Sequence, residues 1–159
     1  VRAGDFAAYA PRWKRPLCAA VHGRTVLGAP PPQTGAQVIH TLKLLEPRDL
    51  PASGLPTRSA RAFDLLVPAL RVGMADNLGN DDPDWRPVPA AGRVSDAFAA
   101  SRAPLVGTGR AAPRIDAATA TAFDTLPPAQ ACARLEPWGP AHGARGATGG
   151  RDDAHLRRG

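Results

Sequence analysis

The residues that could do chemistry are few, and their spacing decides how they are read. Four histidines (His22, His40, His142 and His155) and four serines (Ser53, Ser59, Ser95 and Ser101) supply bases and hydroxyls. A histidine activates a hydroxyl only when the fold holds the pair within hydrogen-bond reach. No G-x-S-x-G elbow or H-E-x-x-H helix joins them in sequence. His40 falls in a helical pattern and His22 in a turn, so both read as ordinary surface or core histidines. Asp81, Asp82 and Asp84 lack the downstream bidentate glutamate of a calcium loop and read as a solvated turn. Gly107-x-Gly109 is too short to cradle a phosphate. Cys18 and Cys132 have no metal-ligand spacing, and neither a disulfide nor a reducing compartment follows from them. Cys18 falls in a strand pattern and reads as a packing residue. Trp13, Trp85 and Trp138 also read as packing residues, because no basic cluster interleaves them. No residue is assigned a catalytic, substrate-binding or metal-ligating role, and no cofactor is expected.

The elements that would carry these side chains are organised around Pro30-Pro31-Pro32-Gln33-Thr34-Gly35-Ala36. Three prolines fix φ and remove three donors, so this stretch is extended and lies in neither a helix nor a central strand. Thr34 is placed to cap a helix that runs to Glu46 and ends before Pro47, with Val38, Ile39, Leu42 and Leu45 as its apolar face. Upstream, Asp5 to Tyr9 reads as a short helix stopped by Pro11. Pro16–Ala20 and Arg24–Gly28 read as short strands joined at His22-Gly23. Downstream, Asp49 to Thr57 is a loop. Ser59 then opens the longest helical pattern, with Phe63, Leu66, Leu70 and Met74 on one side and Pro68 inside it. An interior proline costs about 3 kcal/mol, so this helix is expected to kink at Pro68 or to begin after Val67. Such a proline is the mark of a helix that selection no longer maintains. Asn77 to Asp84 is a polar turn, Trp85 to Pro89 is extended, and Ser95 to Arg102 is a short capped helix. From Gly107 onward Gly, Ala, Pro and Arg dominate without a period, so that tail is expected to be poorly packed or disordered.

At 159 residues the chain is long enough for one domain with a modest core. With 16 Gly, 18 Pro and only 5% aromatics, it is expected to fill less than that allowance. The net charge of +6 would fit an anionic partner, but the basic residues are scattered singly from Arg2 to Arg158. A GC-rich genome accounts for the excess of Arg, Ala, Pro and Gly equally well, and no nucleic-acid partner is expected. No run of about 18 apolar residues and no signal peptide is present, so no membrane span is expected. The first residue is Val1, which fits a fragment or processed piece.

Several stretches, in order, carry a family resemblance. Asp5-Phe6-Ala7-Ala8-Tyr9 resembles the Asp-Leu-Ala-Ala-Tyr element of gamma-glutamyltransferases (glutathione hydrolases). Pro30 to Ala36 is similar to that family's Pro-Pro-Pro-Ser-Ser-Gly-Gly. Leu42-Lys43-Leu44-Leu45-Glu46, with Asp49-Leu50, resembles its Leu-Asn-Leu-Leu-Glu-Gly-x-Asp-Leu. Ala69 to Asp76 and Asp82 to Pro89 resemble its Ala-Asp-Arg helix end and its Gly-Asp-Pro-x-Phe-x-x-Val-Pro turn. The resemblance covers residues 4 to about 105 and falls on the C-terminal part of the large subunit.

The resemblance implies an α+β fold: a helix-rich fragment of an N-terminal-nucleophile hydrolase αββα fold, with a short strand pair and a disordered C-terminal tail. Residues 1–106 would be the large-subunit fragment and 107–159 the low-complexity tail. Family members cut themselves before a threonine, which then attacks the gamma-glutamyl amide and forms an acyl-enzyme. The resemblance places the glutamate-binding arginine upstream and the nucleophile and small subunit downstream. This chain is therefore expected to be inactive alone. The implied partners are the missing upstream segment, the small subunit and gamma-glutamyl compounds such as glutathione, and the implied location is periplasmic or secreted. The alternative reading is a basic, partly disordered polypeptide that binds nucleic acid or protein, or a decayed reading frame without function.

The departures from the family pattern are specific. Ser-Ser is replaced by Gln33-Thr34 and the second glycine by Ala36, and Pro68 stands where the family has a helix-compatible glutamate. The turn before Asp82 is shorter than the family's and has Asp81 in place of glycine. No Thr-Thr-His-x-Ser-Val-Val junction is present. Asp152-Asp153-Ala154-His155-Leu156-Arg157-Arg158 offers a reason. Encoded GAC GAC GCA CAC CTT CGT CGT and read one nucleotide later, it gives Thr-Thr-His-Thr-Phe-Val, with G or C in every complete third position. A frameshift before Arg151 is the expectation. Sequencing the gene decides it: the shifted frame should encode Thr-Thr-His there, and any other reading removes the frameshift.

Overall fold

Two successive residues with positive φ set the strand pair. His22 (φ 48°) and Gly23 (φ 71°) form the two-residue turn whose handedness matches the twist of antiparallel strands. In this computed structural model, which describes residues 1–110 and 112–126, the turn joins β1 (Leu17–Val21) to β2 (Arg24–Gly28). The pairing is antiparallel and runs from Leu17 opposite Gly28 to Val21 opposite Arg24. The main-chain N–H of His22 donates to Glu46 Oε1 at 2.6 Å, which ties the turn to the end of the next helix. The helices that follow are α2 (Gly35–Leu45), α3 (Ala60–Asp76), α4 (Ala90–Arg93) and α5 (Asp96–Arg102), with single 3-10 turns at Ala103–Leu105 and Thr121–Phe123. The architecture is α+β, helix-rich, with one two-stranded sheet among the described residues.

The described residues divide into two units. In the first, residues 1–13, α1 (Ala3–Ala8) carries no buried residue, and Asp5 Oδ2 accepts from its opening N–H at Arg2. The second, residues 14–126, holds the core. That core has two parts, and α2 contributes to both. Ala36 and Ile39 pack with Leu17, Ala90 and Val94, whereas Leu44 and Leu45 pack with Leu65, Ala69, Val72 and Val106.

This double burial corrects the expected face of α2. Ile39 and Leu45 are buried, but Val38 is exposed, while His40, Thr41, Lys43 and Leu44 are buried as well. Thr34 caps through its backbone position alone, without a side-chain hydrogen bond. The correction to α3 is larger. Phe63, Leu70 and Met74 are exposed and Leu66 is half-buried, while the face against α2 is Ala62, Leu65, Ala69, Val72, Gly73 and Asp76. Small residues won that face because the helices approach closely there: a Cβ on Gly73 would collide with Thr41 Oγ1. Ser59 caps α3 by accepting from Ala62 N.

The helix does not begin after Val67. It runs unbroken through Pro68, because Leu65 on one side and Ala69 and Val72 on the other are held in the same core. Trp13 (70% exposed) and Trp85 (83%) are surface residues and not packing residues, and Trp138 lies outside the described residues.

Some residues past the boundary expected at 106 pack on the core. Ile115 packs against the α2–α3 core and Ala120 is buried. Residue 111 and residues 127–159 of the expected tail lie outside the described residues.

Among the described glycines, an added Cβ would meet main chain most closely at Gly35, the first residue of α2. A Cβ there would overlap the main chain of Gly28 and Ala29. Gly35→Ala should therefore lower the unfolding free energy by about 1–3 kcal/mol, the range for an overpacked site, read as a lower midpoint in urea.

A buried carboxylate and the side chains around it

Asp76 is the last residue of α3, and its side chain is almost fully buried. A carboxylate at a helix C-terminus meets the negative end of the helix dipole, so it needs cationic and N–H partners. It has them. His40 Nε2 lies 3.1 Å from Oδ2, Arg102 Nε donates to Oδ2 at 2.9 Å, and Ala118 N donates to Oδ1 at 2.8 Å. Facing an ionised acceptor, the proton of His40 belongs on Nε2. The His40 ring is held flat against Phe98, with centroids 4.8 Å apart.

Arg93 brings a second cation into the same cluster. It is buried on α4 and donates to Asn80 Oδ1 at 3.1 Å. Asn80 in turn donates through Nδ2 to the carbonyls of Pro32 (2.6 Å) and Gln33 (3.1 Å). The proline segment is thus connected by hydrogen bonds through Asn80 to Arg93, whose charge interacts with Asp76. Burial lowers the Arg93 pKa, and the Asp76 charge opposes that shift. For Asp76 itself, burial alone would raise the pKa. The hydrogen bonds from His40, Ala118 and Arg102, with the Arg102 charge, outweigh it and hold the carboxyl below its ordinary value of 3.8.

The cavity at this cluster is about 10 Å³ and is lined by Ala36, His40, Gly73, Asp76, Arg93 and Phe98, among others. That is the size of one water molecule, far below the several hundred Å³ of a small-molecule site. The arrangement orients and rigidifies; it has no room for a substrate.

Of the chemistry-bearing residues read from sequence, His40 lies in this cluster and the other described ones fall elsewhere. His22 is in the hairpin turn and exposed. His40 is a core histidine paired with Asp76 and not with a hydroxyl. All four serines are taken up locally: Ser59 and Ser95 cap helices, and Ser53 and Ser101 donate to the carbonyls of Asp49 and Phe98. Asp82 pairs with Lys14 and Asp81 with Arg86, and the described residues contain no group of three side chains placed for a metal. Cys18 is buried in β1 and is not a free thiol. His142, His155 and Cys132 lie outside the described residues. Asp76, Arg93, Arg102 and Asn80 were not singled out from sequence. The available signal was an acidic residue ending an otherwise apolar helix, which is unfavourable unless partnered.

Comparison with known proteins follows the same pattern. The gamma-glutamyltranspeptidase family model matches residues 1–137. Among solved structures, the gamma-glutamyltranspeptidase of Helicobacter pylori superposes with a TM-score of 0.66 at 22% identity, over 74% of this chain and 34% of that one. The gamma-glutamyltranspeptidase of Pseudomonas nitroreducens, solved with L-DON, gives 0.62 at 25% identity, over 72% and 34%. The chain thus spans about a third of the length of these structures. No curated protein matches it.

The pKa direction of Asp76 gives a test. Its folded value lies below its unfolded value, so its contribution to stability is complete above the ordinary 3.8 and is lost as pH falls through the lower folded value. Urea midpoints should therefore fall as pH is lowered below 3.8, and Asp76→Asn should make that fall shallower.

Proposed function

Because the chain belongs to the gamma-glutamyltranspeptidase family, we propose that residues 14–126 are a scaffold for gamma-glutamyl transfer or hydrolysis and do not carry out the reaction themselves. The observation that carries this is the state of the polar cluster. Its carboxylate is saturated by His40, Arg102 and Ala118, and its cavity holds about 10 Å³. A catalytic base must reach a proton on a substrate, and His40 Nε2 instead faces Asp76. Its other nitrogen is buried.

In this reading, Asp76 and Arg93 hold the proline segment, α2, α4 and α5 at fixed angles, and the acyl-forming threonine of the family acts from another part of the assembled enzyme. Its partners would be the remaining large-subunit sequence and the small subunit, its substrates gamma-glutamyl compounds such as glutathione, and its location the periplasm or cell exterior. Among the described residues no helix is long and apolar enough to cross a membrane.

The test is hydrolysis of gamma-glutamyl-p-nitroanilide by the 159-residue chain. Release of p-nitroaniline should match the enzyme-free blank. Turnover above it that is saturable in substrate would overturn the scaffold reading.

A further inference from the structure

Residues 112–124 cross the helices without pairing into a sheet, and apart from the single turn Thr121–Phe123 they form no regular structure. Most of what fastens their main chain comes from side chains. Arg71 Nη1 donates to the carbonyl of Ala112 at 2.7 Å, and its Nη2 to that of Pro113 at 3.5 Å. Arg102 Nη2 donates to the carbonyl of Asp116 at 2.7 Å. Ala118 N donates to Asp76 at 2.8 Å, and at the far end Asp124 Oδ1 accepts from Gly92 N at 2.6 Å. Apolar fastening is thin: Ile115 at the edge of one core, Ala120, and Phe123 tilted on Phe98 at 5.5 Å.

These fastenings are not independent. Asp76 holds the segment directly through Ala118, and it also holds Arg102, whose other nitrogen reaches Asp116. One carboxylate therefore sets two consecutive anchors in the middle of the segment. The hairpin is held by main-chain pairing, and the α2–α3 contact, beside its one bond between His40 and Asp76, by Leu44, Leu45, Ala69 and Val72.

We propose that residues 112–124 are a strap that opens as a unit, with the Asp76 carboxylate as its catch, while the hairpin and the α2–α3 pair stay folded. Segments with few buried apolar contacts and side-chain-held main chain belong to the low-stability end of a native structure. Opening removes Phe123 from Phe98 and so uncovers the ring that backs His40. The strap is a conformational device separate from the scaffold role, and it stands whether or not that role does.

Amide hydrogen exchange of the 159-residue chain near neutral pH tests it. In Asp76→Asn, the hydrogen-bonded amides of the segment, those of Ala118, Thr121, Phe123 and Asp124, should exchange at least about tenfold faster, while those of β1, β2 and α2 change less than about threefold. Arg71→Gln, which touches only the first anchor, should accelerate those same segment amides by a smaller factor. Equal acceleration of strap and hairpin in Asp76→Asn would overturn the proposal, because the carboxylate would then support the whole core. An unchanged strap would overturn it too. If Asp76→Asn does not fold, Arg102→Gln, which leaves the carboxylate with His40 and Ala118, is read by the same criteria, and failure of both to fold counts against the strap.

Discussion

A carboxylate at the C-terminal end of a helix sits in an unfavourable potential, and burial makes it worse. Asp76 is stable there because α2, α5 and the segment after α5 each supply it with a donor. Remove the charge and Arg102 and Arg93 become cations without a counter-ion inside the protein, which is the costly case for buried ions. The segment after α5 therefore depends most on this one group being ionised, while the hairpin and the α2–α3 contact also rest on main-chain pairing and apolar packing. The helices supply apolar contact area, which is non-directional, while the carboxylate adds directional bonds to α2, α5 and the segment after α5.

The second constraint is close approach. α2 is enclosed on more than one side, by the hairpin and α4 and by α3. An enclosed helix cannot hold large side chains all round. Gly35 against the end of β2, and Gly73 against Thr41, are where the backbone or helix spacing leaves no room for a Cβ. The same crowding puts Lys43 inside, its ammonium satisfied by the carbonyl of Ala20 and by Asp96.

The basic composition takes on a different meaning in the folded chain. Arg48, Arg71, Arg93 and Arg102 point their guanidinium groups at carbonyls and side chains of the same unit. Arg71 and Arg102 reach residues 112–116, which have no secondary structure of their own. Their charge is used inside the protein, as the planar five-donor group allows.

Sequence alone determined what is local. The positive-φ turn at His22-Gly23 and the Ser59 and Ser95 caps each depend on a few adjacent residues, and they stand. The proline stretch, expected to be extended, instead turns, with Gln33 N donating to the Pro30 carbonyl at 3.0 Å. The tertiary structure decided which face each helix buries. Periodicity ranks faces by large apolar side chains, and it picked Phe63, Leu70 and Met74. The helix contact instead selected Ala62, Ala69 and Gly73, because spacing between backbones is a property of two elements and not of one. Asp76 was hidden for the same reason. Its partners lie 36 residues upstream and 26 and 42 downstream, and no window on the chain holds them together.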